Sequence, residues 1–222
     1  MRILSLCTSA GLWDRAWLDA GHQIIPGCEI VEYKRAMFRI WCREAGAHLC
    51  HDINDLPDLI RGQHFDGIIG GPPCQSLSVT KAMRPPKFGD LTLSLKRVLA
   101  AASFDWFLFE NVLPLDLGVR FKGTVTRLDA MNFARPHQSR RRYFTHSENI
   151  PVPKILFPGD VDDLMAYPAV AARLYGPKRG ARLQGWPDFA ALPFLCDQIQ
   201  VALADGLPRG LAMAWIRSIE SI

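Results

Sequence analysis

The chain has 222 residues, 49% of them hydrophobic, a formal net charge of +4 and six cysteines. That is the size of one large domain, or one domain with a small appendage, and the apolar content suffices for a sizeable core. No apolar run approaches the roughly 20 residues of a membrane span, Asp14 and Arg15 come too early for a secretory leader, and the scattered cysteines suit reduced thiols better than a disulfide framework.

The first half of the chain alternates. "RILSLC", Arg2 to Cys7, reads as a buried strand, and Leu12 to Ala20 has helical spacing that ends at Gly21. "QIIPGCEIVEY" is a second strand, interrupted by Pro26-Gly27. Lys34 to Ala45 reads as a helix stopped by Gly46. "HLCHDI" (His48 to Ile53) is a third strand and Leu56 to Arg61 a short helix. "FDGIIGG" is a fourth strand, Leu93 to Ala102 a helix and "FDWFLFEN" a fifth strand. Strands alternating with helices predict right-handed βαβ units and a mostly parallel sheet covered on both faces. The turns after Cys7, Val31, Ile53, Ile69 and Phe109 then share the rim where such sheets bind ligands. Further on, "VTRLDAMNF" and "RRYFTHS" read as a last strand pair, Ser147 to Gly176 as irregular, and "GLPRGLAMAWIRSI" as a closing helix.

Cys74 falls on that rim, just past the fourth strand. Gly70 and Gly71 permit a sharp turn, and Pro72 and Pro73 fix two φ angles ahead of the thiol, as a positioned nucleophile requires. Glu110 and Asn111 end the fifth strand at the same rim, where a carboxyl group can hold or protonate a ring nitrogen. In "PHQSRRRYF", alternation along a strand projects Gln138, Arg140 and Arg142 to one face. A fork of arginines beside a cleft suits phosphate and base oxygens. Taken singly, each feature also has an ordinary reading: a turn cysteine, a capping acid, a solvated edge strand. Cys42, His48, Cys50 and His51 lie close in sequence, but not at a zinc-site spacing, so no metal is expected.

Together these stretches resemble the DNA cytosine methyltransferases of the carbon-5 class. "GGPPCQS", "ENV", "QSRRR", "ARLQGWPDF" (Ala181 to Phe189) and "ADGLPRGLA" (Ala204 to Ala212) follow the family's motif order nearly end to end. The resemblance implies a Rossmann-like, class I methyltransferase fold of the α/β class, with S-adenosyl-L-methionine as cofactor and S-adenosyl-L-homocysteine as product. It divides the chain into a catalytic, cofactor-binding domain over residues 1–146, completed by a C-terminal helix at 204–222, and a small target-recognition region at 147–203. The implied cofactor residues are Cys7, Ser9, Gly11 and Leu12 in the first loop, Glu29 and Ile30 after the second strand, and Asp52 and Ile53 after the third. Pro73, Asp205 and Leu207 complete the set. Glu29 would accept from the ribose hydroxyls and Asp52 from the adenine amino group.

By the same resemblance, a Cys74 thiolate attacks carbon 6 of a flipped-out cytosine, Glu110 holds ring N3, Arg142 binds O2, and Arg140 supports the loop and nearby phosphates. Gln75, Ser76, Ser78, Lys81, Arg84, Lys87, Gln138 and Arg182 would face double-stranded DNA. A cytoplasmic monomer of bacterial or phage origin is implied; a cognate restriction enzyme is not readable from the chain. The chain also departs from the family pattern. Ser9 and Leu12 stand where the family has glycines, Thr92 and Arg179 where it has an arginine and an acid, and Asp205 where it has an asparagine. Two alternatives share these residues: RNA cytosine methylation, and a degenerate relative that binds nucleic acid without turnover.

Overall fold

The computed structural model describes residues 1–73, 89–121, 123–133, 140–157, 176, 178, 181–182 and 184–222. Six strands form one sheet: β1 (Arg2–Leu6), β2 (Gln23–Cys28), β3 (His64–Gly70), β4 (Ser103–Asn111), β5 (Thr124–Asp129) and β6 (Arg141–His146). Their order is β2-β1-β3-β4-β6-β5. The first four run parallel, whereas β6 is antiparallel to both β4 and β5. The helices are α1 (Leu12–Asp19), α2 (Glu32–Trp41), α3 (Leu56–Ile60), α4 (Thr92–Ala101), α5 (Cys196–Asp205) and α6 (Arg209–Ile219).

Alternation along the central strands explains the layering. Ile3 of β1 with Trp106 and Leu108 of β4 point to one face, into a core shared with α1, α2, α5 and α6. Leu4 and Leu6 with Phe107 and Phe109 point to the other, into a core shared with α3 and α4. A parallel sheet buried on both faces needs such continuous apolar strands. Among the described residues no helix is long and apolar enough to cross a membrane.

The structure corrects several expectations. The second strand stops at Cys28, and α2 begins at Glu32, so Glu29 to Val31 form the turn between them. The third strand shrinks to a single parallel bridge between Cys28 and Cys50. Pro26 turns its carbonyl toward this segment and accepts from Leu49 N–H at 2.9 Å. It has no N–H to give in return, so a ladder cannot extend past it. α2 ends at Trp41, and a 3-10 turn at Arg43–Ala45 carries the chain on to Gly46.

Residues on both sides of the boundary expected at residue 204 share one core. Ala181, Trp186, Phe189, Ile199, Ala202 and Leu203 are buried in the same core as α1 and α2. Trp41 meets Trp186 and Phe189 edge-on, with ring centroids 6.0 and 5.2 Å apart. The described residues from Ala181 onward therefore complete the sheet domain, rather than standing apart from it. α5, which falls in the stretch expected to be target-recognition region, was not expected as a helix at all.

Candidate active site

A cavity of about 370 Å³ opens beyond the carboxyl ends of β1, β2, β3 and β4. It lies at the point where the strand order reverses between β1 and β3, the usual ligand position in an open parallel sheet. Of the predicted cofactor residues, Cys7, Ser9, Leu12, Glu29, Ile30, Asp52, Ile53, Pro73, Asp205 and Leu207 all line it. Gly11 does not. A Cβ at Gly11 would stand 2.7 Å from both Cys42 Sγ and a Phe38 ring carbon, so this glycine serves the packing of the first loop against α2.

The first loop is held by an acid and carries strain. Glu29 is buried, and its carboxylate oxygens accept from Ser9 N–H at 2.8 Å and Val31 N–H at 2.9 Å. Cys7 and Ser9 adopt φ of 51° and 52°, in the left-handed region that favours glycine. Thr8 Oγ1 lies 2.7 Å from His48 Nε2, which ties the loop to the segment after α2. Burial, with Arg35 and Arg39 nearby, lowers the His48 pKa to about 4, so this imidazole is neutral near pH 7. A hydrogen bond to Cys28, together with burial, pushes the Cys7 thiol up, so it faces the cavity uncharged.

Three departures from the family pattern have physical counterparts. Leu12 packs where a Cβ on Gly206 would lie 2.1 Å from its Cδ1, so the leucine fills space that Gly206 leaves. Asp205 pairs with Lys34 Nζ at 2.6 Å, across 171 positions of sequence. Thr92 begins α4, its N–H and hydroxyl both donating to Asp90 at 2.9 and 2.5 Å.

Glu110 and Arg142 meet on the cavity wall. Glu110 pairs with Phe144 across the antiparallel β4–β6 ladder, so Arg142, two residues along the same face of β6, is its diagonal neighbour. Arg142 Nε lies 2.5 Å from Glu110 Oε1, with both side chains largely buried. Asn111 Nδ2 donates to the Pro72 carbonyl at 3.2 Å and so fixes the end of β4 to the loop that leads to the thiol. Arg140 also lines the cavity, but it is 2% exposed and donates to the Ala204 carbonyl at 2.7 Å. That bond braces the C-terminal segment.

Cys74, the predicted nucleophile, lies outside the described residues, as do Gln75, Ser76, Ser78, Lys81, Arg84, Lys87, Gln138 and Arg179. Its chain neighbour Pro73 lines the same cavity as Glu110. Of the predicted DNA-facing set, Arg182 is described, and it is exposed. Cys42, His48 and Cys50 do not converge: Cys42 donates to Gly11 O, His48 meets Thr8, and Cys50 donates to Asp52 O. Sequence reasoning missed Asp14, Lys34 and Thr8 among the cavity residues.

The cavity fits an adenosyl cofactor. It offers Glu29 and Asp52 as acceptors at the ends of β2 and of the neighbouring edge segment, beside apolar walls from Leu6, Ile53 and Leu207. This sheet, flanked by helices with its cavity at the switch point, is the Rossmann-like fold of class I methyltransferases. The fold aligns with an E. coli prophage protein assigned as a DNA modification methyltransferase, with a TM-score of 0.71 at 14% identity over 100% of this chain and 99% of that one. It aligns equally with Spodoptera frugiperda DNMT2, with a TM-score of 0.70 at 16% identity over 99% of each chain.

The chain belongs to the C-5 cytosine-specific DNA methylase family, whose model matches residues 1–133. The type II methyltransferase M.NgoPII of Neisseria gonorrhoeae is 34% identical over 131 residues. That stretch is 58% of this chain and 38% of the relative, so the chain spans well under two thirds of the relative's length.

Proposed function

We propose that this chain transfers a methyl group from S-adenosyl-L-methionine to carbon 5 of a cytosine in nucleic acid, and that its substrate is double-stranded DNA with the target base flipped out. The observation that carries this reading is the Glu110–Arg142 pair, which opens on the same cavity as Glu29, Asp52 and Pro73. Carbon 5 of cytosine is a poor nucleophile, so the chain must activate the ring before it can accept a methyl group. When bound, the cofactor supplies that methyl as an electrophile on a sulfonium.

Each step follows from residues of this chain. Cys74, next after Pro73, forms a thiolate bond to carbon 6 and pushes electron density onto carbon 5. Glu110 grips the N3 edge and supplies a proton as charge builds there. Arg142, already beside Glu110, turns a guanidinium N–H to the O2 of the base. Once carbon 5 carries the methyl group, its proton leaves to solvent, the carbon–sulfur bond breaks to return Cys74 as a thiolate, and the N3 proton passes back to the Glu110 carboxylate. Asn111 keeps the loop and β4 in register throughout, through its bond to Pro72. Target reading falls to the chain between β6 and Ala181, a short stretch that suits a short or relaxed recognition sequence.

RNA is the second reading, because the flipped-base chemistry is the same and so short a stretch leaves few groups to read a duplex. The test is bisulfite sequencing of plasmid DNA and of total RNA from the same cells expressing the chain. Protected cytosines in DNA support the lead reading. Protection confined to RNA moves the substrate to RNA and keeps the chemistry; protection in neither overturns both.

A further inference from the structure

The carboxylates around the cavity are nearly all answered from within the chain. Glu29 accepts two backbone N–H groups, Glu110 faces Arg142, Asp205 faces Lys34, and Asp52 accepts from the backbone and side-chain amides of Asn54. Asp14 is different. It sits in the first turn of α1, lines the cavity and is 1% exposed. Its Oδ1 is buried without a hydrogen-bond partner, and the groups that favour its charge are the Ser5 hydroxyl and its own backbone N–H. Among the described residues no lysine, arginine or histidine pairs with it.

A buried carboxylate with an unpartnered oxygen is costly to ionise unless a cation or donor is brought to it. Burial accordingly pushes the Asp14 carboxyl up to about 7. A ligand entering this cavity with positive charge would favour the ionised form of Asp14, with no competing cationic partner among the described residues. S-adenosyl-L-methionine carries two cationic centres, a sulfonium and an ammonium. S-adenosyl-L-homocysteine keeps the ammonium alone, and methylthioadenosine has neither.

We propose that Asp14 is a cofactor-positioning residue, whose buried, unpartnered carboxylate at the cavity wall is the counter-charge for a cationic centre of S-adenosyl-L-methionine. The inference rests on the cofactor assignment made above. It assigns a task to a residue that the motif resemblance leaves without one.

The test is calorimetric titration of the full chain and of Asp14→Asn with these three ligands, with thermal unfolding of both ligand-free proteins as the check on folding. The expected result is a loss of about tenfold or more in S-adenosyl-L-methionine affinity in Asp14→Asn, with methylthioadenosine affinity unchanged. A loss confined to S-adenosyl-L-methionine identifies the sulfonium as the partner; a loss shared with S-adenosyl-L-homocysteine identifies the ammonium. Equal affinity of both proteins for all three ligands would overturn the inference, as would an equal weakening of all three, which marks a purely structural role. Failure of the unaltered chain to bind any of them would overturn the cofactor assignment together with the inference.

Discussion

Arg142 Nε lies 2.5 Å from Glu110 Oε1, and the two side chains reach each other diagonally across the antiparallel β4–β6 ladder. The pair sets a polar wall on a cavity that helices, loops and the ends of the parallel strands also line. Glu110→Gln keeps the shape and removes the acid, so methyl transfer should fall about 100-fold or more, with cofactor binding retained. Arg142→Ala should lose transfer to a similar degree. Single-turnover transfer of labelled methyl, read beside cofactor affinity, separates the two effects.

Leu12 and Gly206 form a second dependent pair. Because a Cβ on Gly206 would fall 2.1 Å from Leu12 Cδ1, Gly206→Ala should destabilise the protein by about 1–3 kcal/mol through overpacking. Leu12→Gly in the same chain removes the clash and should recover part of the loss. A denaturant-unfolding cycle of the two single variants and the double measures the coupling directly.

Ser9 offers a stabilising change. It holds φ of 52°, and its buried hydroxyl oxygen lacks a partner. Ser9→Gly relieves the left-handed strain at the cost of extra freedom in the unfolded chain, for a net gain of about 0.5–1 kcal/mol. The backbone N–H of residue 9 still donates to Glu29, so cofactor affinity should not fall. Unfolding midpoints and cofactor titration check the two halves of this statement.

Asp14 makes stability depend on pH. Its carboxyl titrates near 7 in the folded chain, against about 3.9 unfolded, so the folded state binds the proton more tightly between these values. The associated stabilisation is complete below about pH 4 and is lost as pH rises through about 7. It amounts to about 4 kcal/mol at most. Relative to Asp14→Asn, the ligand-free wild-type chain should therefore lose stability steadily across that range. His48, whose pKa is lowered and whose contribution runs the opposite way, is present in both chains and cancels in the comparison.

Much of this site was legible in the sequence, and the exceptions have identifiable causes. Glu110 and Arg142 could be read because strand alternation and the apolar run before Glu110 fix which face and which rim they occupy. Asp14 could not: an acid in the first turn of a helix is the ordinary favourable placement there, and nothing local says that this one is buried. Lys34 pairs with a residue far along the chain, so no spacing rule finds it. The lost third strand follows from Pro26, whose effect depends on which side its carbonyl faces. α5, whose Ile199, Ala202 and Leu203 are buried in the shared core, and the placement of Trp186 and Phe189 against Trp41 are tertiary facts.

The most direct measurement is capture of the covalent intermediate. The chain is incubated with S-adenosyl-L-methionine and duplex DNA in which 5-fluorocytosine replaces cytosine, then run on a denaturing gel. Fluorine cannot leave carbon 5 as a proton does, so the account predicts a cofactor-dependent adduct that survives denaturation and is absent from Cys74→Ala. An adduct that persists in Cys74→Ala, or methylation of ordinary DNA with no adduct on the fluorinated duplex, would contradict it.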